Sequence, residues 1–153
     1  VVNRVALVHD LFKMVVIKNF GATKYHTHSE ITEEQKVFWR EMQKRYEGKY
    51  EGEVAYDVFK EEFPEFALIV RNASNPRHQC EMWEERLIHY ADWRVFQDRV
   101  VLLRERLEYL QEQYPREPGV WEEYTKKIKE MEATIFKELP FQPEGLAEEL
   151  NDK

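Results

Sequence analysis

An all-α fold is predicted by three features of this 153-residue sequence. Apolar residues recur at three- and four-residue spacing along most of it. No segment shows the two-residue alternation of a half-buried strand, and prolines and glycines punctuate the periodic stretches. The expected architecture is a single domain over residues 1–153, a bundle of about six helices with two long ones towards the C-terminus. Residues 140–153 read as a flexible acidic tail.

Residues 1–17 read as a buried helix whose wide apolar face carries Val1, Val2, Val5, Val8, Leu11, Phe12 and Val15. The β-branched run Val15-Val16-Ile17 weakens its end. Residues 18–31 are polar and glycine-containing, hence a loop, with His26 and His28 inside it. Thr32 and Gln35 form a capping-box pattern that opens the next helix, with Val37, Phe38, Met42 and Tyr46 on its apolar side. Gly48 and Gly52 mark a turn. A short helix over residues 53–62 places Val54, Ala55, Val58 and Phe59 inward. Pro64 suits the first turn of another helix, apolar through Phe66, Ala67, Ile69 and Val70. After a polar loop ending near Arg77, one long helix is expected over residues 79–113, its period set by Trp83, Leu87, Tyr90, Ala91, Val95, Leu102 and Leu110. The last, over residues 118–138, is read from Trp121, Tyr124, Ile128, Met131 and Ile135.

Composition narrows the function. Hydrophobic residues are 42% and aromatics 14%, enough to build a core and unlike a disordered chain. The net charge of -7 and pI near 5.4 argue against a nucleic-acid binder, which carries a basic surface. The one cysteine, Cys80, excludes an intrachain disulfide and fits a reducing, cytoplasmic setting. No apolar run approaches the ~20 residues of a membrane span. The start at Val1 shows no signal-peptide pattern and opens in an apolar helix with no cap, from which a missing upstream segment is expected.

Two polar residues interrupt the apolar pattern of the first helix, His9 and Asp10. Their neighbours three and four positions away include Val5, Ala6, Leu7, Phe12, Lys13 and Met14, so both lie on or beside a face expected to be buried. A buried carboxylate is costly unless it is paired or bound to a cation. Asp92, in the middle of the expected long helix among Ile88, His89, Val95 and Phe96, poses the same question. A metal ion shared with His9 and Asp10 is one answer. A salt bridge to Arg4, Lys13, Arg86 or Arg94 is the other. His26 and His28 could form a His-x-His pair but read better as loop residues. His78 reads as a polar residue ahead of the long helix, His89 as packed, exposed or a partner behind a ligand, and Cys80 as a small buried residue.

The stretch Val5-Ala6-Leu7-Val8-His9-Asp10-Leu11-Phe12-Lys13 resembles the His-Asp signature of the HD-domain phosphohydrolases. Trp83 to Val95, containing Tyr90-Ala91-Asp92, resembles that family's later helix with its final metal-binding aspartate. Glu53 to Asn72 resembles the helix pair between them, and the likeness extends through Arg106 and Tyr114-Pro115. The resemblance implies an HD-like helical domain that hydrolyses a phosphate ester, a nucleotide among the candidates, with a small phosphorylated substrate as its partner. It implies His9, Asp10 and Asp92 as metal ligands and Lys13 as the side chain facing substrate phosphate. Imidazole and carboxylate donors suit Mn²⁺, Mg²⁺, Fe or Zn²⁺.

Departures from the family pattern sharpen the reading. Another histidine precedes the His-Asp pair in the family, and none stands among the eight residues before His9. Truncation or degeneracy explains this; truncation is favoured, and weak metal binding is expected of the chain as it stands. Phe12 occupies a position where glycine is common. Glu53 and Ala73 stand where some members carry the histidines of a second metal site, so a two-metal site is not expected. Two rival readings remain: a non-catalytic HD-like module for interaction or regulation, and a helical bundle in which His9, Asp10 and Asp92 are structural. An uncovered N-terminal helix would favour oligomers.

Overall fold

The computed structural model describes residues 1–18 and 31–151. The histidines His26 and His28, and nearly all of the loop expected around them, lie outside the described residues. Helix dominates: eight α-helices and a single two-stranded ribbon occur among the described residues. The chain divides into two compact units, Val1–Asn75 and Pro76–Lys153.

The first unit begins with α1 (Val2–Val8), about half the helix expected. Beyond it the backbone tightens: the N–H groups of Leu11, Lys13 and Val15 reach back three residues, to Val8, Asp10 and Phe12, and Lys13–Val15 is a 3-10 turn. The His9 ring takes the Ala6 carbonyl, a group that a continuing helix would use, and the β-branched run beyond disfavours further helix. Only Val5 of α1 is buried, and Leu7 is 84% exposed, so the wide buried face expected here is not formed.

Helix α2 (Glu33–Arg45) starts where the capping box places it. Thr32 Oγ1 accepts from the Gln35 N–H at 3.2 Å, and Gln35 Oε1 accepts from the Thr32 N–H at 2.9 Å. Its expected apolar residues Val37 and Phe38 are exposed. Gln43 on α2 ties this helix to the N-terminal segment, its Nε2 donating to the carbonyls of Met14 and Ile17 at 2.8 and 2.7 Å.

Helices α3 (Glu51–Phe59) and α4 (Pro64–Ala73) form the tight centre of this unit. Pro64 sits in the first turn of α4, as its fixed φ predicts. Val54, Ala55, Ala67, Ile69, Val70 and Ala73 are buried, whereas Val58, expected inward, is exposed. Gly52 makes the close approach possible. A Cβ there would lie 2.9 Å from Ser74 Cβ and 3.0 Å from the Arg71 carbonyl, both fixed to α4 or its end. Gly52→Ala therefore trades ~1 kcal/mol of helix propensity against ~1–3 kcal/mol of overpacking. A net loss of up to about 2 kcal/mol in urea denaturation is expected, and a gain in stability would refute the close contact.

The second unit contains α5 (Trp83–Arg94), strands β1 (Val95–Phe96) and β2 (Arg99–Val100), α6 (Leu103–Gln113), α7 (Val120–Phe136), a 3-10 turn (Pro143–Gly145) and α8 (Leu146–Asn151). The long helix expected over residues 79–113 is thus two helices with a hairpin between them. Val95 pairs with Val100 and Phe96 with Arg99, around a two-residue turn in which Gln97 has φ 57°. The β-branched residues Val95, Val100 and Val101 favour this break.

The core of the second unit gathers Cys80, Tyr90, Trp93, Leu103, Leu107, Tyr124, Ile128, Met131, Ile135 and Phe136. Helix α7 buries the face its spacing predicts. Helix α5 does so only in part: Tyr90 is buried as expected, but Trp83, Leu87 and Ala91 are exposed, while Glu85, Ile88, His89, Trp93 and Arg94 are buried. The buried polar groups explain the rotation, since each has a partner. Glu85 accepts from the Glu81 N–H at 3.1 Å and lies 3.3 Å from His78 Nε2. Arg94 bonds the hairpin, the C-terminal segment, Tyr90 and Glu132. Cys80 is buried, and burial pushes its thiol above the ordinary range, as befits an inert packing residue. Phe141 and Leu146, within the stretch read as a tail, pack against the core. No helix among the described residues is long and apolar enough to cross a membrane.

Candidate metal centre

His9 is the residue that ends α1, and its backbone is fixed from two sides. Its N–H bonds the Val5 carbonyl at 2.9 Å, and its own carbonyl accepts from Ser74 Oγ, just past α4, at 3.3 Å. The ring is fixed as well, with Nδ1 at 2.8 Å from the Ala6 carbonyl. A carbonyl can only accept, so Nδ1 carries the proton, and in the neutral ring Nε2 presents a lone pair. Backbone carbonyls select the tautomer of metal-binding histidines in this way.

That nitrogen faces Asp10, with Nε2 3.6 Å from Asp10 Oδ2. The distance exceeds a hydrogen bond, and for a neutral ring two acceptors face one another. A cation between them, or a second proton on the ring, resolves that opposition. Ligand bonds of ~2.0–2.2 Å to one ion place neighbouring donor atoms about 3–3.5 Å apart, close to the spacing found. The pair therefore fits a divalent ion on geometry and on donor chemistry.

Asp10 differs from its expected setting. Its side chain is 50% exposed, because α1 stops before it and the tight turn carries it outward. It is not a buried carboxylate in need of rescue; its case as a ligand rests on what it faces. Its other oxygen, Oδ1, lies 3.3 Å from Lys13 Nζ. Lys13 in turn donates to Glu51 Oε1 at 2.9 Å, and Glu51 is nearly buried at the start of α3. His9, Asp10, Lys13 and Glu51 thus form one continuous chain of contacts in the first unit.

Asp92 belongs to the second unit, on α5, one turn beyond Ile88 and His89. It is exposed, contrary to its expected place on a buried face. His89 is buried instead, its ring 6.1 Å from that of Trp93.

The departures noted in the sequence have structural roles. Phe12 turns to Phe59, ring centroids 6.3 Å apart, and Phe59 meets Phe66 at 5.8 Å. Glu53 caps α3, its Oε2 accepting from the Tyr50 N–H at 3.1 Å. Ala73 is core. Sequence reasoning missed Glu51 and Ser74. Both act on residues far away in the chain, and an acidic residue in a first helical turn is too ordinary a signal to single out. In comparisons with known proteins, no family model, no curated protein and no solved structure matches the chain.

Proposed function

We propose that the chain is a metal-dependent phosphohydrolase of the HD superfamily, acting on a phosphate ester, with nucleotides among its candidate substrates. The observation that carries the reading is the His9 ring: its proton is committed to the Ala6 carbonyl and Nε2 faces Asp10 Oδ2 at 3.6 Å. In this reading His9, Asp10 and, by the sequence resemblance, Asp92 hold the ion, which is Mn²⁺, Mg²⁺, Fe or Zn²⁺. When bound, a divalent ion acidifies water and polarises a phosphoryl oxygen. Lys13 supplies the positive charge that offsets charge growing on the phosphoryl oxygens. Water adds to phosphorus, the phosphorus–ester oxygen bond breaks, and the alcohol leaves with the proton that water gives up.

A second reading, a non-catalytic HD-like module, draws on Glu53 and Ala73, which stand where some family members carry histidines and here serve as a helix cap and as core. Hydrolysis of p-nitrophenyl phosphate and of a nucleoside 5′-monophosphate with Mn²⁺, then with the ion chelated, separates the two. The enzyme reading expects turnover that depends on the ion and is lost in Asp10→Asn. No turnover supports the module, and turnover indifferent to both changes overturns the assignment of His9 and Asp10 as the site.

A further inference from the structure

The two oxygens of Asp10 have different partners. Oδ2 faces His9 Nε2, and Oδ1 faces the Lys13 ammonium at 3.3 Å. Lys13 is nearer to Glu51, at 2.9 Å. The Glu51 side chain is only 11% exposed against 50% for Asp10, so solvent screens its attraction for the ammonium less. A lysine ammonium is a compact charge on a flexible stem and settles where the field is strongest. It competes with any ion for Asp10, since two cations on one carboxylate repel each other.

Resting on the metal-site reading above, we propose that Glu51 is a positioning residue for the candidate metal centre and acts through Lys13. Its carboxylate draws the ammonium to the Oδ1 side and towards α3, which leaves Oδ2 of Asp10 to an ion shared with His9. Without that pull the ammonium moves onto Asp10 and must be displaced before an ion binds. Glu51 therefore sets the affinity of the centre without touching the ion, and it keeps Lys13 at the edge of the site, where a phosphate can recruit it.

The test is a double-mutant cycle on Mn²⁺ affinity, read by the electron spin resonance of free Mn²⁺, in the parent chain, Glu51→Gln, Lys13→Met and the double variant. Glu51→Gln is expected to weaken binding by about 5–10-fold and Lys13→Met to tighten it a few-fold. In the Lys13→Met background the Glu51 change is expected to cost no more than about 2-fold. Circular dichroism checks that each variant is folded. Glu51→Asp, which keeps the charge and shortens its reach, is expected to fall between parent and Glu51→Gln, and it carries the test if the glutamine variant does not fold. An equal cost of Glu51→Gln in both backgrounds reduces Glu51 to a remote charge and overturns the proposal, as does an unchanged affinity. Failure of the parent chain to bind Mn²⁺, or binding unaffected by Asp10→Asn, overturns the metal reading itself, and this inference with it.

Discussion

Arg94→Ala is expected to lower stability by about 3–5 kcal/mol in urea denaturation, the range for removing one partner from a buried ionic network. The side chain is 2% exposed. Its Nε donates to the Val101 carbonyl at 2.7 Å, and Nη2 to the Pro143 carbonyl at 2.8 Å. Nη1 donates to the Tyr90 hydroxyl and lies 3.3 Å from Glu132 Oε2, which itself accepts from Tyr90 at 2.5 Å. One guanidinium thus ties α5 to the end of the hairpin, to α7 and to the C-terminal segment. Truncation orphans two carbonyls and leaves Glu132 beside a hydroxyl whose own ionisation burial strongly opposes. Arg94→Lys is expected to recover little, because an ammonium cannot reproduce the planar fork. A loss below ~1 kcal/mol in Arg94→Ala would show that the network is not a structural anchor.

Asp10→Asn is the opposite kind of change. Asp10 is half exposed, so stability is expected to stay within about 0.5 kcal/mol of the parent. Ion-dependent hydrolysis is expected to fall by about 100-fold or more, since even partners behind metal ligands cost ~10–100-fold. An amide keeps the shape but removes the charge that faces both His9 and Lys13. A folded Asp10→Asn variant with full ion-dependent turnover would remove Asp10 from the site.

The parts of this fold that the sequence announces are those with local chemical signals. The Thr32–Gln35 capping box, Pro64 at the start of α4, and the apolar spacing of Tyr124, Ile128, Met131 and Ile135 each translate directly into structure. The features that stay hidden depend on tertiary contacts. The hairpin after Arg94 turns at Gln97-Asp98, without the glycine that usually marks such a turn, and the apolar period runs on across it. The buried face of α5 includes Glu85, His89 and Arg94, polar residues that a hydrophobic pattern assigns outward. The same division runs through the candidate site. His9, Asp10 and Lys13 lie within one tight turn and are legible as a group. Glu51 joins them across 38 positions of sequence, through a contact that no local pattern encodes.

The most direct test of the central claim is the Mn²⁺ held by the purified chain in equilibrium dialysis, as the excess over the dialysate, measured by elemental analysis in the parent and in Asp92→Ala. Asp92 is exposed on α5, and alanine is the best helix former, so the substitution leaves the helix intact. If His9, Asp10 and Asp92 hold one ion, the parent retains Mn²⁺ and Asp92→Ala loses most of it. Equal Mn²⁺ in the two proteins would contradict the account.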